Sequence, residues 1–252
     1  RDMLARLPAY EVNADGAMRE WLWPGLEDNY HHRHQSHIYP LFPGIELTEE
    51  SDPTLYEACR IAVEKRLVVG LASQSGWSLA HMANIYARLG QGERALECLE
   101  LLARAATGPN LFTYHNDWRG QGLTLHAPHP PFQIDANFGL TAAVIEMLVF
   151  SVPGTIKLLP ALPKGWGRGA ARGIACRGGV IVDLAWDRTG GQVRSRLAAQ
   201  SAQQVTVKFP GPVSVLQAEA PVHASPYGAA YRRVDLPAGQ PVELEATLQA
   251  FE

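Results

Sequence analysis

The stretch Pro130-Pro131-Phe132-Gln133-Ile134-Asp135-Ala136-Asn137-Phe138-Gly139 sets one carboxylate, Asp135, between two carboxamides, Gln133 and Asn137, in an otherwise apolar run. A charged carboxylate in such company is costly unless hydrogen bonds support it, which makes Asp135 a candidate for chemistry. Two prolines stiffen the approach, and the helical spacing of Leu140, Ala143, Val144, Met147 and Leu148 begins just after. Asp135 is therefore expected at a rigid loop-to-helix junction, where a reacting group can be held in place. The same junction suits a helix cap, and Asp135 or Asn137 could fill that position. Cap and catalyst are not exclusive.

A second polar cluster, His31-His32-Arg33-His34-Gln35-Ser36-His37, raises the question of a metal. Zinc sites draw on a helical HExxH or on paired Cys/His ligands at set spacings. His34 and His37 are three apart, but Pro40 and Pro43 follow and no helix is evident. The histidines are read as hydrogen-bonding groups of a polar pocket, and no metal or other cofactor is expected. Arg33 adds a donor fork suited to hydroxyls or a carboxylate. Trp77, in Ser75-Gly76-Trp77-Ser78, is either a core residue at a helix start or a flat platform for a sugar ring. His129 shares the loop of Asp135 and could line the same pocket. Asp117 and Trp118 could join it, although a solvated loop tip suits them better. Glu20 is a weaker acid candidate, read more simply as exposed. The chain shows no Gly-x-Ser-x-Gly, phosphate loop or Cys–His nucleophile pattern. A pocket with one supported carboxylate suits glycoside hydrolysis without requiring it.

The elements that must position these residues fall into two parts. Up to about residue 151 the period is helical. Asp52 caps a helix that opens on Pro53 and carries Leu55, Tyr56, Cys59, Ala62, Val63 and Leu67. A second helix carries Trp77, Ala80, Met82, Ala83, Tyr86 and Leu89 and stops at Gly90. A third, after Gln91 and Gly92, carries Leu96, Leu99 and Leu102, and a fourth covers about residues 140–150. Residues 107–138 and the first 50 residues have no period and are rich in polar and aromatic types. Long irregular segments inside a compact domain are usually functional. After Pro153 the period becomes two: Val180, Val182, Leu184 and Trp186 alternate with Ile181, Asp183 and Ala185. Further strands are expected around Val193, Val205, Tyr231 and Val242. With Gly and Pro turns between them, they argue for an antiparallel β-sandwich reached through a linker at residues 153–166. The expected class is thus α+β and multidomain.

Bulk composition excludes several roles. With 46% hydrophobic and 19% charged residues the chain is globular rather than disordered. A net charge of −3 without a basic stripe offers nothing to nucleic acid or an anionic membrane. No apolar run approaches the roughly 18 residues of a transmembrane helix. Cys59, Cys98 and Cys176 have neither metal nor disulfide spacing and read as core residues. The first residue is Arg1, which fits an N-terminal truncation, so the lack of a leader leaves the compartment open.

Several of these segments together resemble glycoside hydrolase family 95, the inverting α-L-fucosidases. They are His32-Arg33-His34-Gln35-Ser36-His37-Ile38-Tyr39-Pro40-Leu41-Phe42-Pro43-Gly44, Gly76-Trp77-Ser78, the stretch from His129 to Gly139, and Leu158-Leu159-Pro160-Ala161-Leu162-Pro163. The resemblance runs from about Tyr10 to Trp186; the last strands match only in character. It implies that residues 1–153 are the C-terminal part of an (α/α)6 catalytic barrel and residues 154–252 a C-terminal β-sandwich.

By the same resemblance, Asp135 occupies the position of the aspartate that polarises a water-activating asparagine. The general-acid glutamate and the asparagines would lie upstream of this chain. His34, His37 and Gln133 would line the sugar site, with Arg33, Trp77, His129 and Asn137 beside them. The substrate would be a fucosylated glycan, and the chain would need the upstream part of its own protein, since a partial barrel leaves apolar helix faces exposed. Two departures are Gln35 and Ala136, where the family more often has leucine and glycine. Residues 114–122 resemble an insertion at the substrate entrance. Competing readings are an α-L-galactosidase of the same chemistry and a non-catalytic carbohydrate-binding or scaffold fragment.

Overall fold

In the computed structural model the described residues are 3–251. The helical part contains α1 (Pro53–Lys65), α2 (Gly76–Arg88), α3 (Gly92–Ala106) and α4 (Ile134–Leu148). Each forms for a local reason. At α1 the extended Asp52 accepts a hydrogen bond from Leu55 N at 2.9 Å, with Pro53 in the first turn, as the sequence predicts. Its buried face is Ala58, Cys59, Ala62 and Val63. Before α2, Ser75 and Ser78 exchange bonds: Ser75 N reaches Ser78 Oγ at 2.8 Å and Ser78 N reaches Ser75 Oγ at 3.4 Å. The helix ends on Gly90, whose φ of +71° lets Gln91 N return to the Tyr86 carbonyl at 2.8 Å.

Before α1 the described residues hold two short 3₁₀ turns, at Leu4–Arg6 and Ser36–Ile38, and an isolated antiparallel bridge between Val12 and Met18, in keeping with the aperiodic sequence. The fourth helix departs from expectation. It begins at Ile134, six residues before the apolar period does, so Asp135 and Asn137 lie inside its first turns and neither caps it. The early start follows from side-chain bonds that anchor Asn137 and Gln133, described below, rather than from an apolar face.

The strands are β1 (Val149–Val152), β2 (Thr155–Leu158), β3 (Arg168–Cys176), β4 (Val180–Asp187), β5 (Gln192–Ala199), β6 (Gln203–Lys208), β7 (Val213–Ala218), β8 (Val222–Ala224), β9 (Tyr231–Leu236) and β10 (Pro241–Leu248). They form two five-stranded sheets, ordered β1-β2-β6-β9-β8 and β3-β4-β5-β10-β7. In β4, β5 and β10 burial alternates along the strand, and Val182, Leu197, Val242 and Leu244 point inward. Ile156, Leu158, Val205, Val207, Val234 and Leu236 of the other sheet join the same core. Two findings differ from the sequence reading. The stretch expected as a linker contains β2, paired to β1 as a hairpin, and β2 runs parallel to β6 in a set otherwise antiparallel.

The chain divides into two compact units, residues 1–85 with 98–139, and residues 86–97 with 140–252. The three cysteines are buried and none is in a disulfide: Cys59 on α1, Cys98 on α3 and Cys176 on β3.

Candidate active site

Every proposed site residue lies in the first unit, on the histidine loop, the start of α2, the loop that leads into α4, or the first turns of α4. The helices approach closely. Asn84 Nδ2 donates to the carbonyls of Ala80 at 2.8 Å and Gly139 at 2.9 Å, and a Cβ on Gly139 would stand 2.8 Å from Ala80 Cβ. Glycine at 139 is therefore what lets α4 seat against α2.

Gln133 is buried and ties three segments. Its Oε1 accepts from Trp77 N at 2.8 Å, serving an orphan donor at the α2 N-terminus. Its backbone N donates to Thr113 O at 2.8 Å, and its carbonyl accepts from the Thr113 hydroxyl. Gly76 donates to the His115 carbonyl at 2.9 Å, and a Cβ there would meet Tyr114 O at 2.5 Å. Asn137 Oδ1 accepts from Thr113 N at 3.0 Å, with the Thr113 hydroxyl 2.9 Å away, while its Nδ2 donates to Leu111 O at 2.8 Å. Asn137 is thus engaged with the protein on both sides of its amide.

Trp77 is partly exposed in the first turn of α2, with the His34 ring against it edge-on at 4.9 Å, and the His32 ring lies 4.3 Å from that of His34. One turn further along α2, His81 packs on the Phe42 ring at 5.8 Å and hydrogen-bonds the Phe42 backbone. Burial pushes both His37 and His81 down to about 4, with the Arg66 cation adding to the effect on His37. His34 is lowered as well, by burial first and then by His32, Arg33 and Arg66. Near neutral pH these rings are uncharged and present one donor and one acceptor each, the pattern that suits sugar hydroxyls. The His37 Nδ1 and Arg33 Nε are buried without a partner among the described residues. None of these atoms forms a cluster of three or more His, Cys, Asp or Glu able to hold a metal, among the described residues.

Asp135 is exposed on the first turn of α4, where the helix dipole favours its charge, and is not the apolar-buried carboxylate its neighbours in sequence suggest. Phe132 and Phe138 beside it are 52% and 70% exposed, so a carboxylate stands in an apolar rim. His129 is exposed. Asp117, expected at a solvated tip, is fully buried. Its carboxylate accepts from Arg119 N and Gly122 N, each at 3.0 Å, and shapes the loop. Trp118 Nε1 donates to Thr107 O at 3.2 Å in the same structural role. Glu20 is paired with Arg66 rather than exposed. Sequence reading passed over His81, Arg66 and Thr113; only His81 left a signal, four residues after Trp77 on one helix face.

A family model described as the glycosyl hydrolase family 95 catalytic domain matches residues 1–148, and one described as the family's C-terminal domain matches residues 151–241. The chain belongs to glycoside hydrolase family 95. Among curated relatives of this family 95 chain, an alpha-L-fucosidase 2 of Arabidopsis thaliana is 39% identical over 72% of it. A probable alpha-fucosidase A of Aspergillus oryzae is 32% identical over 75%. The chain spans 21% and 28% of the length of these two relatives. A solved GH127 beta-L-arabinofuranosidase from Geobacillus stearothermophilus T6 shares 12% identity at a TM-score of 0.34, covering 81% of this chain and 39% of that one, a likeness too slight to bear on fold or function.

Proposed function

We propose that this chain is the C-terminal portion of an exo-acting α-L-fucosidase that releases terminal L-fucose from glycans with inversion. In this reading residues 1–153 complete an (α/α)6 barrel begun upstream, and residues 154–252 form its C-terminal β domain. The observation that carries it is the pairing of family 95 membership with Asp135, presented on the open first turn of α4. The helix holding Asp135 is locked to α2, which carries Trp77. Neutral His34 and His37, the Gln133 amide and Arg33 take the sugar hydroxyls, and Trp77 gives a flat apolar face. Asn137 holds the loop rather than the sugar.

Asp135 polarises an asparagine supplied by the upstream part, and that amide orients the attacking water. A glutamic acid, also upstream, protonates the leaving oxygen on the opposite face. The exposed Phe132 and Phe138 are covered when the upstream helices are in place, which dries the site and strengthens the Asp135 field. A single displacement needs acid and base far enough apart to admit water, about 6.5–9.5 Å between carboxyl groups. The full-length protein should therefore release β-L-fucose first from an α-linked aryl fucoside, followed by proton NMR. Release of α-L-fucose as the initial product, or a glycosyl ester trapped on Asp135, would overturn the mechanism.

A further inference from the structure

We infer that Arg66 and Glu20 act as a positioning pair that presets the histidine loop for the sugar, an inference resting on the fucosidase reading above. Arg66 follows α1 directly, and its side chain is 2% exposed. One guanidinium nitrogen, Nη1, donates to the His32 carbonyl at 3.0 Å and the His34 carbonyl at 2.6 Å. The other, Nη2, meets Glu20 Oε2 at 2.6 Å, and the Glu20 side chain is 14% exposed. Glu20 Oε2 also accepts from Asn29 N at 3.2 Å, and Glu20 N donates to Asp28 Oδ1 at 2.7 Å.

Residues 31–35 carry neither helix nor strand, so their carbonyls have no ladder to satisfy them. Arg66 supplies the missing donors to the carbonyls on either side of Arg33. The backbone is thereby held at the point from which the His34 ring reaches Trp77. The fork places two nitrogens at a fixed separation, so one serves two carbonyls while the other serves the carboxylate; a lysine ammonium would have to gather all three acceptors around a single point. Stability is a poor explanation for this arrangement. Replacing a buried ion pair by apolar groups of similar volume is often neutral or favourable, and here the Arg66 Nε is also buried without a partner among the described residues. What the charged pair supplies is placement of His34.

The test uses the full-length protein in four forms: parent, Arg66→Lys, Glu20→Gln, and the double variant Arg66→Met with Glu20→Met. Thermal midpoint, kcat and KM on an aryl α-L-fucoside, the inhibition constant of L-fucose, and the His34 ring signals in NMR are measured on each. The double variant should melt within a few degrees of the parent, while KM and the L-fucose constant rise together by about tenfold and kcat moves less. Arg66→Lys and Glu20→Gln should show the same split to a smaller degree. A well-folded double variant with KM and the L-fucose constant within twofold of the parent overturns the inference. Should the double variant fail to fold, unchanged binding in the two single variants overturns it equally. A parent that neither cleaves the fucoside nor binds L-fucose breaks the fucosidase reading instead. The His34 ring signals then decide the pair alone, since unmoved signals in Arg66→Lys rule out positioning.

Discussion

The two parts of this molecule hold their backbones by opposite means. In the β region, strands satisfy one another through ladders such as Val182 opposite Leu197 and Leu244 opposite Ser195, and inward side chains need only be apolar and the right size. Around the candidate site, side chains do the work that ladders do elsewhere. Gln133 serves the α2 N-terminus, Asn137 serves Leu111 and Thr113, Asp117 serves Arg119 and Gly122, and Arg66 serves His32 and His34. A residue change in the first region alters a volume, whereas one in the second frees a backbone group and moves a loop. Activity and stability should therefore separate by region.

The sharpest test is Asp135→Asn in the full-length protein. It keeps shape and removes only a charge, so the melting temperature should hold while kcat falls by about 10²–10⁴. A variant within a few-fold of the parent would remove Asp135 from catalysis. The mirror image is Leu197→Ala in the β core. Leu197 is fully buried, and truncation should cost roughly 2–5 kcal/mol by chemical denaturation, with KM of the folded enzyme unchanged. Equal damage to KM would show that the two regions are not energetically separate.

Gln133 separates the two roles within a single residue. Gln133→Ala strands the Trp77 amide and should cost about 1–3 kcal/mol. Gln133→Glu retains the acceptor at a helix N-terminus, so stability should recover while the donor to the sugar is lost and KM stays raised. Recovery of both would leave Gln133 a cap alone.

The smallest effect is a proton count. His37 and His81 are pushed below their unfolded value of about 6.5 to about 4, so between those limits the unfolded chain binds more protons than the folded one. Their contribution to stability is complete above pH 6.5 and is lost as pH falls toward 4. Each of His37→Gln and His81→Gln should remove about one proton from the uptake on unfolding near pH 5, measured from the pH dependence of denaturant midpoints. Variants that leave the slope unchanged would show these rings are charged or solvated in the native state.

What the sequence made legible follows the same division. The period of two found β4, β5, β6, β9 and β10, because a strand with one buried face writes its register into its residues. It missed β3, β7 and β8 as well as the short β1 and β2, of which β1 overlaps the expected end of the fourth helix and β2 lies in the expected linker, each four residues and too short to show a period. Asp52 and Pro53 announced α1, but nothing announced that α4 begins at Ile134. Its first turns are held by Thr113, some twenty residues away in sequence, and a long-range bond leaves no periodic trace. Asp117, expected at a solvated tip, is buried, while Asp135, set in an apolar run, is exposed, since neighbours in sequence say little about neighbours in space. Motif spacing named the candidate residues, and the structure shows which of them bond to the protein and which are exposed.

The buried thiols give the molecule a built-in clock. Burial pushes Cys59 up to about 12 and raises Cys176 as well, so neither presents a thiolate to an alkylating reagent while its surroundings stay closed. Cys59 belongs to the first compact unit and Cys176 to the second. Timed alkylation followed by peptide mass analysis would read the opening rate of each unit separately in one sample, without any introduced label.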